Sequence, residues 1–508
     1  MYMRSIQKVL TPFKLIAMAK LGGSQLFLCV LALVAATAAA DLPGFVESID
    51  KTFWTEGSTF LFNGFNAHWL MGDAASPLSN GSKVTALFKE AAAAGLTVCR
   101  TWAFYDGFSN DSLQVTPGVY HEQVFKGLDF VISEARNNGL RVILSLVNNY
   151  NDYGGRAQYV DWARRAGLVV PSVDDFYTHD IVKGYFKDHI EYMLNRMNTF
   201  TKMAYKNDPS IMAWELINEP HCESDPSGKI FTAWVQEMAT FLKTIDNNHL
   251  LGVGLEGFYG SSTPDKVKIN NPNAVQIGVD FMEVHKVIQI DYATVHANPD
   301  FWLKGQSEDK KKEFINQWLW NHWKDSLEVL GKPFMLGAFG KTKKDPGYSE
   351  QIRNDFYSTV YDSIYSISKN GHKTFTGGLM WQLFVEGMES QDDGFEIILS
   401  QDASATALIL NQTRWRCWGS HLCRGKTKKD PGFSEQIHND FYSTVYDSIY
   451  SISKDEHKTF TGRLMWQLFV EGMESYYDGF EIILSQDASA TALILNQSKN
   501  MGELAGSA

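Results

Sequence analysis

Cysteine is scarce in this chain of 508 residues: there are five, and none has the partners, at the spacing, that a zinc site needs. Positive charge is short as well. Lys and Arg number 46 against 58 Asp and Glu, a formal net charge of −12, which argues against a nucleic-acid partner because such proteins carry basic patches. The apolar run at residues 26–36 is too short to cross a bilayer comfortably. What is present points elsewhere. A content of 44% hydrophobic and 13% aromatic residues can bury a sizeable core and excludes a disordered chain. An acidic surface rich in Trp, Tyr and Phe suits an uncharged, stackable ligand such as a polysaccharide.

The first forty residues predict a signal peptide. Arg4, Lys8, Lys14 and Lys20 precede the apolar run, and Ala38-Ala39-Ala40 offers a small-residue cleavage site before Asp41. A chain read this way is secreted and carries no membrane attachment in its mature form. Cys29 leaves with the leader. Cys99, Cys222, Cys417 and Cys423 remain and allow three full pairings, among which sequence does not choose. Asn80, Asn110, Asn411 and Asn496 each open a glycosylation acceptor on the secretory route.

From residue 60 onward short apolar runs alternate with amphipathic stretches, the pattern of a parallel sheet wrapped by helices. Strands are expected at 60–69, 97–104, 141–147, 211–218, 250–255, 292–296, 333–339 and 378–384. Eight is the number that closes a (β/α)8 TIM barrel, so the fold class is α/β. Helices are expected at 83–94, 123–138, 181–207 and 313–330. In the last of these, Trp318 and Trp323 belong to the core-facing stripe.

The stretch Ile211-Met-Ala-Trp-Glu-Leu-Ile-Asn-Glu-Pro220 organises the rest. It starts as a buried strand and stops at Pro220, which cannot extend a ladder. Asn218 and Glu219 thus sit at the carboxyl end of a barrel strand, where this architecture places its chemistry. A carboxyl there, beside an amide able to bind a sugar hydroxyl, suits a general acid for glycosidic bonds. The plainer alternative is a carboxylate that caps the following helix.

The tail repeats itself. Residues 341–412 recur as 426–497, with seven differences: Tyr348/Phe433, Arg353/His438, Asn370/Asp455, Gly371/Glu456, Gly378/Arg463, Gln391/Tyr476 and Asp392/Tyr477. Two copies are too few for a solenoid, and one copy is too small to bury its own core. The expected organisation is therefore a leader at 1–40, a barrel at 41–412, a join at 413–425 and a near-copy with a short tail at 426–508. The first copy should supply the eighth strand, because Arg463 replaces Gly378 in the second.

Several blocks resemble the plant endo-β-1,4-mannanases of glycoside hydrolase family five over residues 44–412. They are Phe62-Asn-Gly-Phe-Asn66, Cys99-Arg-Thr-Trp-Ala-Phe104, Val147-Asn-Asn-Tyr-Asn-Asp-Tyr-Gly-Gly155, Trp214-Glu-Leu-Ile-Asn-Glu-Pro220, Gly254-Leu-Glu-Gly-Phe-Tyr-Gly260, Ala293-Thr-Val-His296 and Met380-Trp-Gln-Leu383. The resemblance implies the same barrel, no metal or organic cofactor, and a mannan-type polysaccharide as partner of a monomer. It implies random retaining hydrolysis of β-1,4-mannosidic linkages in mannan, galactomannan and glucomannan. It assigns Glu219 as acid/base and Asn218 as the amide on the sugar 2-hydroxyl. Arg100, Trp102, His296 and Trp381 are assigned to the substrate site, Arg100 by orienting carboxylates. Glu215, alternating with Trp214, reads as a buried structural carboxylate paired with a cation.

The chain departs from that family at its centre. Retaining hydrolysis needs two carboxyl groups about 5–5.5 Å apart. The resemblance puts the nucleophile at the end of strand seven, and Ala338 stands there in Met335-Leu-Gly-Ala-Phe-Gly340. Asn298 replaces the expected tyrosine, His68 replaces an aromatic hydroxyl, and Tyr150 stands for a tryptophan. Glu256 is the nearest substitute carboxylate by barrel order, though it also belongs to the family pattern. Without a carboxylate at 338, like-charge repulsion is absent and the Glu219 pKa is expected to fall. The readings that follow are an impaired secreted mannanase, a mannan-binding pseudoenzyme, or a non-functional copy.

Overall fold

Strands in a parallel barrel are buried on both faces, and eight apolar runs meet that condition along their whole length. They are β1 (Phe62–Asn66), β2 (Val98–Trp102), β3 (Arg141–Ser145), β4 (Ile211–Asn218), β5 (Leu250–Gly254), β6 (Ala293–Ala297), β7 (Phe334–Phe339) and β8 (Phe375–Met380). The computed structural model describes residues 44–370, 373–391 and 393–415, plus the short strands Leu468–Phe469 and Ile482–Ile483. The sheet runs β5-β4-β3-β2-β1-β8-β7-β6, all parallel. Backbone hydrogen bonds from Asp291 N to Leu251 O (2.8 Å) and from His296 N to Leu255 O (2.8 Å) tie its two edges together.

Helices cover the outside: α1 (Ser82–Ala93), α2 (Glu122–Asn137), α3 (Asp180–Asn195), α4 (Lys229–Ile245), α5 (Phe281–Lys286), α6 (Glu308–Asp325) and α7 (Glu350–Asn370). The stretch expected as one helix at 181–207 ends at Asn195. Asn198 turns the chain there, its Oδ1 accepting from the amides of Phe200 (2.8 Å) and Thr201 (3.1 Å), a local bond that competes with helix. α6 starts earlier than the apolar stripe, because Ser307 caps it. Trp318 and Trp323 are buried in the core as expected, and Trp323 Nε1 donates to Thr374 Oγ1 at 2.8 Å.

A small antiparallel sheet, Glu47–Ile49, Thr52–Thr55 and Ser58–Thr59, carries Phe53 into the barrel floor. There Phe53 packs in one cluster with Phe62, Ile143, Met212, Tyr292 and Leu379. Burying such a ring stabilises by roughly 1.5–3 kcal/mol relative to leaving it in water. The floor is lined by hydrophobic residues, and the polar chemistry collects at the opposite, carboxyl end.

β8 begins three residues before the expected 378, at Phe375, and leaves the wall after Met380. The adjacent glycines, Gly377 and Gly378, weaken the strand signal in the sequence. Packing requires the first, where a Cβ would lie 2.2 Å from Phe62 O; a Cβ on Gly378 would lie 2.7 Å from Ile364 Cδ1, the end of a flexible side chain. Leu383–Phe384 then pairs with Ile397–Ile398 outside the barrel.

The first copy of the repeat thus supplies α7 and β8, with β8 bonded to β7 and β1. In the second copy, Leu468–Phe469 pairs with Ile482–Ile483 in the register of the equivalent pair in the first. The chain divides into a barrel unit ending at Ala405 and a second unit beginning at Thr406. Cys99 and Cys222 are free buried thiols, and burial pushes both up. Cys417, Cys423 and the expected signal peptide lie outside the described residues. Among the described residues no helix is long and apolar enough to cross a membrane.

Candidate active site

A guanidinium buried in the barrel must be met by a carboxylate, and β2 and β4 provide the pair. Arg100 is 1% exposed; its Nε and Nη2 donate to the two oxygens of Glu215 at 3.0 and 2.5 Å. Nη1 donates to Asn66 Oδ1 (3.0 Å), and Nη2 also donates to Asn218 Oδ1 (2.7 Å). Ser145 Oγ donates to Glu215 as well. Asn66 Nδ2 reaches the carbonyls of Gly337 (3.1 Å) and Met380 (3.2 Å), so this network clamps β1, β2, β4, β7 and β8 at one level. Gly254 is required beside it, since a Cβ there would sit 2.7 Å from Glu215 Oε1.

Glu215→Gln should therefore destabilise the barrel by about 2–3 kcal/mol, because a charge-assisted pair is lost with Arg100 still buried. Urea unfolding of the variant against the parent chain checks this.

Glu219 follows at the mouth with φ +46°, a left-handed conformation that a side-chain-bearing residue adopts only when its surroundings enforce it. Its amide donates to Gly254 O at 2.7 Å. Glu219 Oε1 accepts from His296 Nδ1 (2.8 Å) and from Asn298 Nδ2 (3.5 Å), and the Tyr150 hydroxyl also bonds the carboxylate. Burial alone would raise this carboxyl. The bond from His296, with the positive charges nearby, outweighs burial and holds it below the ordinary carboxylate range.

Glu256, next to it, goes the other way. Burial pushes it up, the facing Glu219 charge adds to that, and the bond with His221 Nε2 (2.8 Å) offsets it in part. Two neighbouring carboxyls are thus driven apart, one toward the ionised and one toward the neutral form.

Ala338 lies on β7, paired with His296 of β6, and is 4% exposed. Aromatic rings frame the same opening. Trp381 and His68 stack 5.9 Å apart at an interplanar angle of 9°, and Trp102 lies 6.0 Å from Trp381. His68 Nδ1 is bonded to Gln382 Oε1 at 2.7 Å. Trp102 is 5% exposed and rests on the Arg100 guanidinium at 4.9 Å, whereas Trp381 is only half-buried.

The residues singled out in the sequence therefore fall into two groups. Glu219, His296 and Asn298 form one hydrogen-bonded set, while Arg100, Asn218, Glu215 and Asn66 form a second beneath it. Arg100 orients Glu215 rather than Glu219, its nitrogens being spent within the second set. Tyr150 and Asn298 stood out in the sequence only as departures, and His68 likewise; all three line the mouth. His221 was not singled out at all. Its one signal is its place directly after Glu219-Pro220.

Asp300, Glu308 and Asp345 come close enough together to hold a cation. That place is taken by two lysines: Lys341 Nζ meets them at 2.7, 2.8 and 2.7 Å, and Lys311 Nζ at 3.0, 3.0 and 2.5 Å. The cluster is an ion-pair cage behind the end of β7, not a metal centre.

The geometry is that of a carbohydrate-active barrel, and comparison with known proteins agrees. Residues 43–392 match the family model for glycoside hydrolase family 5, described as β-mannosidase-like. The chain is 51% identical over 381 residues to mannan endo-1,4-β-mannosidase 5 of Solanum lycopersicum, covering 75% of this chain and 91% of that protein. It is 49% identical over 371 residues to mannan endo-1,4-β-mannosidase 1 of Oryza sativa subsp. japonica, covering 73% and 85%. Among solved structures, the endo-β-1,4-mannanase of Thermotoga petrophila superposes with a TM-score of 0.62 at 28% identity, covering 72% of this chain and 79% of that one. On these grounds the chain belongs to glycoside hydrolase family 5, in its β-mannosidase-like group.

Proposed function

We propose that this protein is a secreted, monomeric mannan endo-1,4-β-mannosidase-type protein that binds β-1,4-mannan at the barrel mouth but hydrolyses it only slowly. Glu219 is its acid/base, and Asn218, His296, Trp102 and Trp381 meet the sugars, with Arg100 positioning them through Asn218. The observation that carries this reading is Ala338: it lies across the strand pair from His296, beside an otherwise assembled acid/base set. A methyl group can neither attack an anomeric carbon nor stabilise positive charge there. Plant relatives named as mannan endo-1,4-β-mannosidases support mannan as the polysaccharide.

Glu256 does not replace the lost nucleophile. It is 7% exposed, bonded to His221, and pushed up by burial and the facing Glu219 charge, which works against the ionised form a nucleophile needs.

The test is one preparation of purified protein assayed for both activities on mannohexaose. Calorimetric binding with reducing-end release near background supports the reading; ordinary turnover, or no binding, sinks it. Trp381→Ala should weaken that binding about tenfold, since loss of one stacked ring costs on the order of 1–1.5 kcal/mol. Unchanged affinity in the same titration would remove Trp381 from the sugar site.

A further inference from the structure

We propose that the loop after β2 holds a structural cation of the calcium type between Asp106, Ser112, Gln114 and Gln158. The site lies apart from Glu219 and its partners, and it does not depend on the mannan reading.

Asp106 is 2% exposed, and neither of its carboxylate oxygens has a hydrogen-bond partner. No lysine, arginine or histidine among the described residues pairs with it. Buried charges in folded proteins are paired or coordinate metals, and here no side chain supplies the pair. The neighbouring polar atoms are orphaned in the same way. Ser112 Oγ and both polar atoms of the Gln114 amide are buried without a partner. The backbone brings them to Asp106, which faces Gln114 across a parallel bridge. Gly107 N donates to Gln114 O (3.0 Å), and Gln114 N donates to Tyr105 O (3.0 Å).

The room for an ion lies beside Gly107, the residue after Asp106. This glycine is buried and has φ +148°. A Cβ built on it would meet, outside its chain neighbours, nothing within 4 Å except Ser112 Oγ and Gln158 Oε1, both at 3.5 Å. Oxygen therefore bounds that opening on two sides. Gln158 Nε2 donates to Asp161 Oδ2 (3.4 Å), which leaves Oε1 for the opening.

Every candidate ligand is an oxygen: one carboxylate, one hydroxyl and two amide carbonyls. That is the set a hard cation takes, whereas transition metals favour imidazole or thiolate. Asp106 supplies the charge, and water completes the shell. One carboxylate among neutral oxygens gives the weak, roughly millimolar affinity of extracellular calcium modules. Water alone would satisfy the hydroxyl and the amides but would leave the Asp106 charge unneutralised. The ion would fasten the loop after β2 to the helix Gly155–Arg165, next to the bond from Asp106 N to Tyr153 O (2.8 Å). It is a brace at the barrel mouth and takes no part in bond cleavage.

The test uses the full chain, stripped with chelator and kept at constant ionic strength. Calcium at about 5 mM should raise the melting temperature by about 3 °C relative to choline chloride. Terbium, an oxygen-seeking ion of similar size, should luminesce when Tyr105 and Tyr159 are excited, and calcium should displace it. Asp106→Asn should remove both signals. Gln158→Ala, at a half-buried side chain, should weaken terbium binding about fivefold, and it decides the matter if Asp106→Asn does not fold. Absence of either signal in the parent chain would mean that water alone fills the site and would overturn the proposal. Signals unchanged by either substitution, or a shift of the same size with sodium or potassium, would overturn it too.

Discussion

Ala338→Glu is expected to raise hydrolysis of mannohexaose about a thousandfold or more. The parent site can protonate the leaving oxygen through Glu219, yet water must attack an oxocarbenium-like centre with no counter-charge on the opposite face. A thousandfold corresponds to about 4 kcal/mol of transition-state stabilisation, a reasonable return for a nucleophile that splits the reaction into two easier steps. Position 338 pairs with His296, the residue bonded to Glu219, so the new carboxylate is introduced on the strand next to the acid/base set. Asn298→Tyr added to this variant should improve it further. Asn298 now makes only a long 3.5 Å contact to Glu219, and a phenol there could hold the new carboxylate instead.

The same substitution should move the pH profile. In the parent, Glu219 is held low, so whatever hydrolysis it supports declines as pH climbs past that lowered value, because an acid must be protonated to donate. A carboxylate at 338 puts a like charge beside it and raises its pKa, shifting the declining limb to higher pH. Reducing-end assays of parent and variant across pH 3–8 measure both effects. Parent turnover equal to that of the variant, with a mechanism-based label on Glu256, would show that the nucleophile has moved.

The eight strands were legible because a parallel barrel buries each of them on both faces, leaving apolar runs that no partly exposed sheet would show. β4 was legible to the residue: Pro220 cannot extend it, and the strand ends at Asn218. Motif order also places Ala338 within β7, one residue before the strand ends at Phe339. Glu215 as a structural carboxylate was also readable, from its alternation with Trp214, but its partner was not. Nothing local in the sequence shows that Arg100, 115 positions away, meets Glu215 and bridges Asn66 and Asn218. β8 was misplaced for a related reason. Its two glycines are set by contacts with β1 and α7, which local propensity does not see. The opposed titrations of Glu219 and Glu256 likewise depend on His296 and His221, brought in by different segments of the chain.

Gly378→Arg is expected to abolish folding of the barrel, and that expectation decides which copy of the repeat can close it. Gly378 sits in the wall between β7 and β1, where a Cβ would already lie 2.7 Å from Ile364 Cδ1 and 3.3 Å from Phe339 Cε1. An arginine adds a long, charged side chain where the first carbon already meets Ile364, Phe339 and Leu336, whose side chains accept no hydrogen bond. Overpacking of this kind costs about 1–3 kcal/mol, and an unpaired buried charge adds several more. The total reaches the ~5–15 kcal/mol by which a typical domain is stable. The second copy carries this arginine natively, at Arg463. Excising residues 341–425, which offers the second copy to the eighth place, should therefore yield insoluble or non-cooperatively melting protein. Ending the chain after Gln412 retains β8 with Gly378 and should leave a melt like that of the full chain. Adding Arg463→Gly to the excised chain should restore a cooperative transition, since the other differences within 341–412 lie outside the strand. Circular-dichroism melts of the four proteins decide the matter: a stable Gly378→Arg barrel, or an excised chain that folds without the Arg463→Gly change, would mean that either copy can serve as the eighth strand.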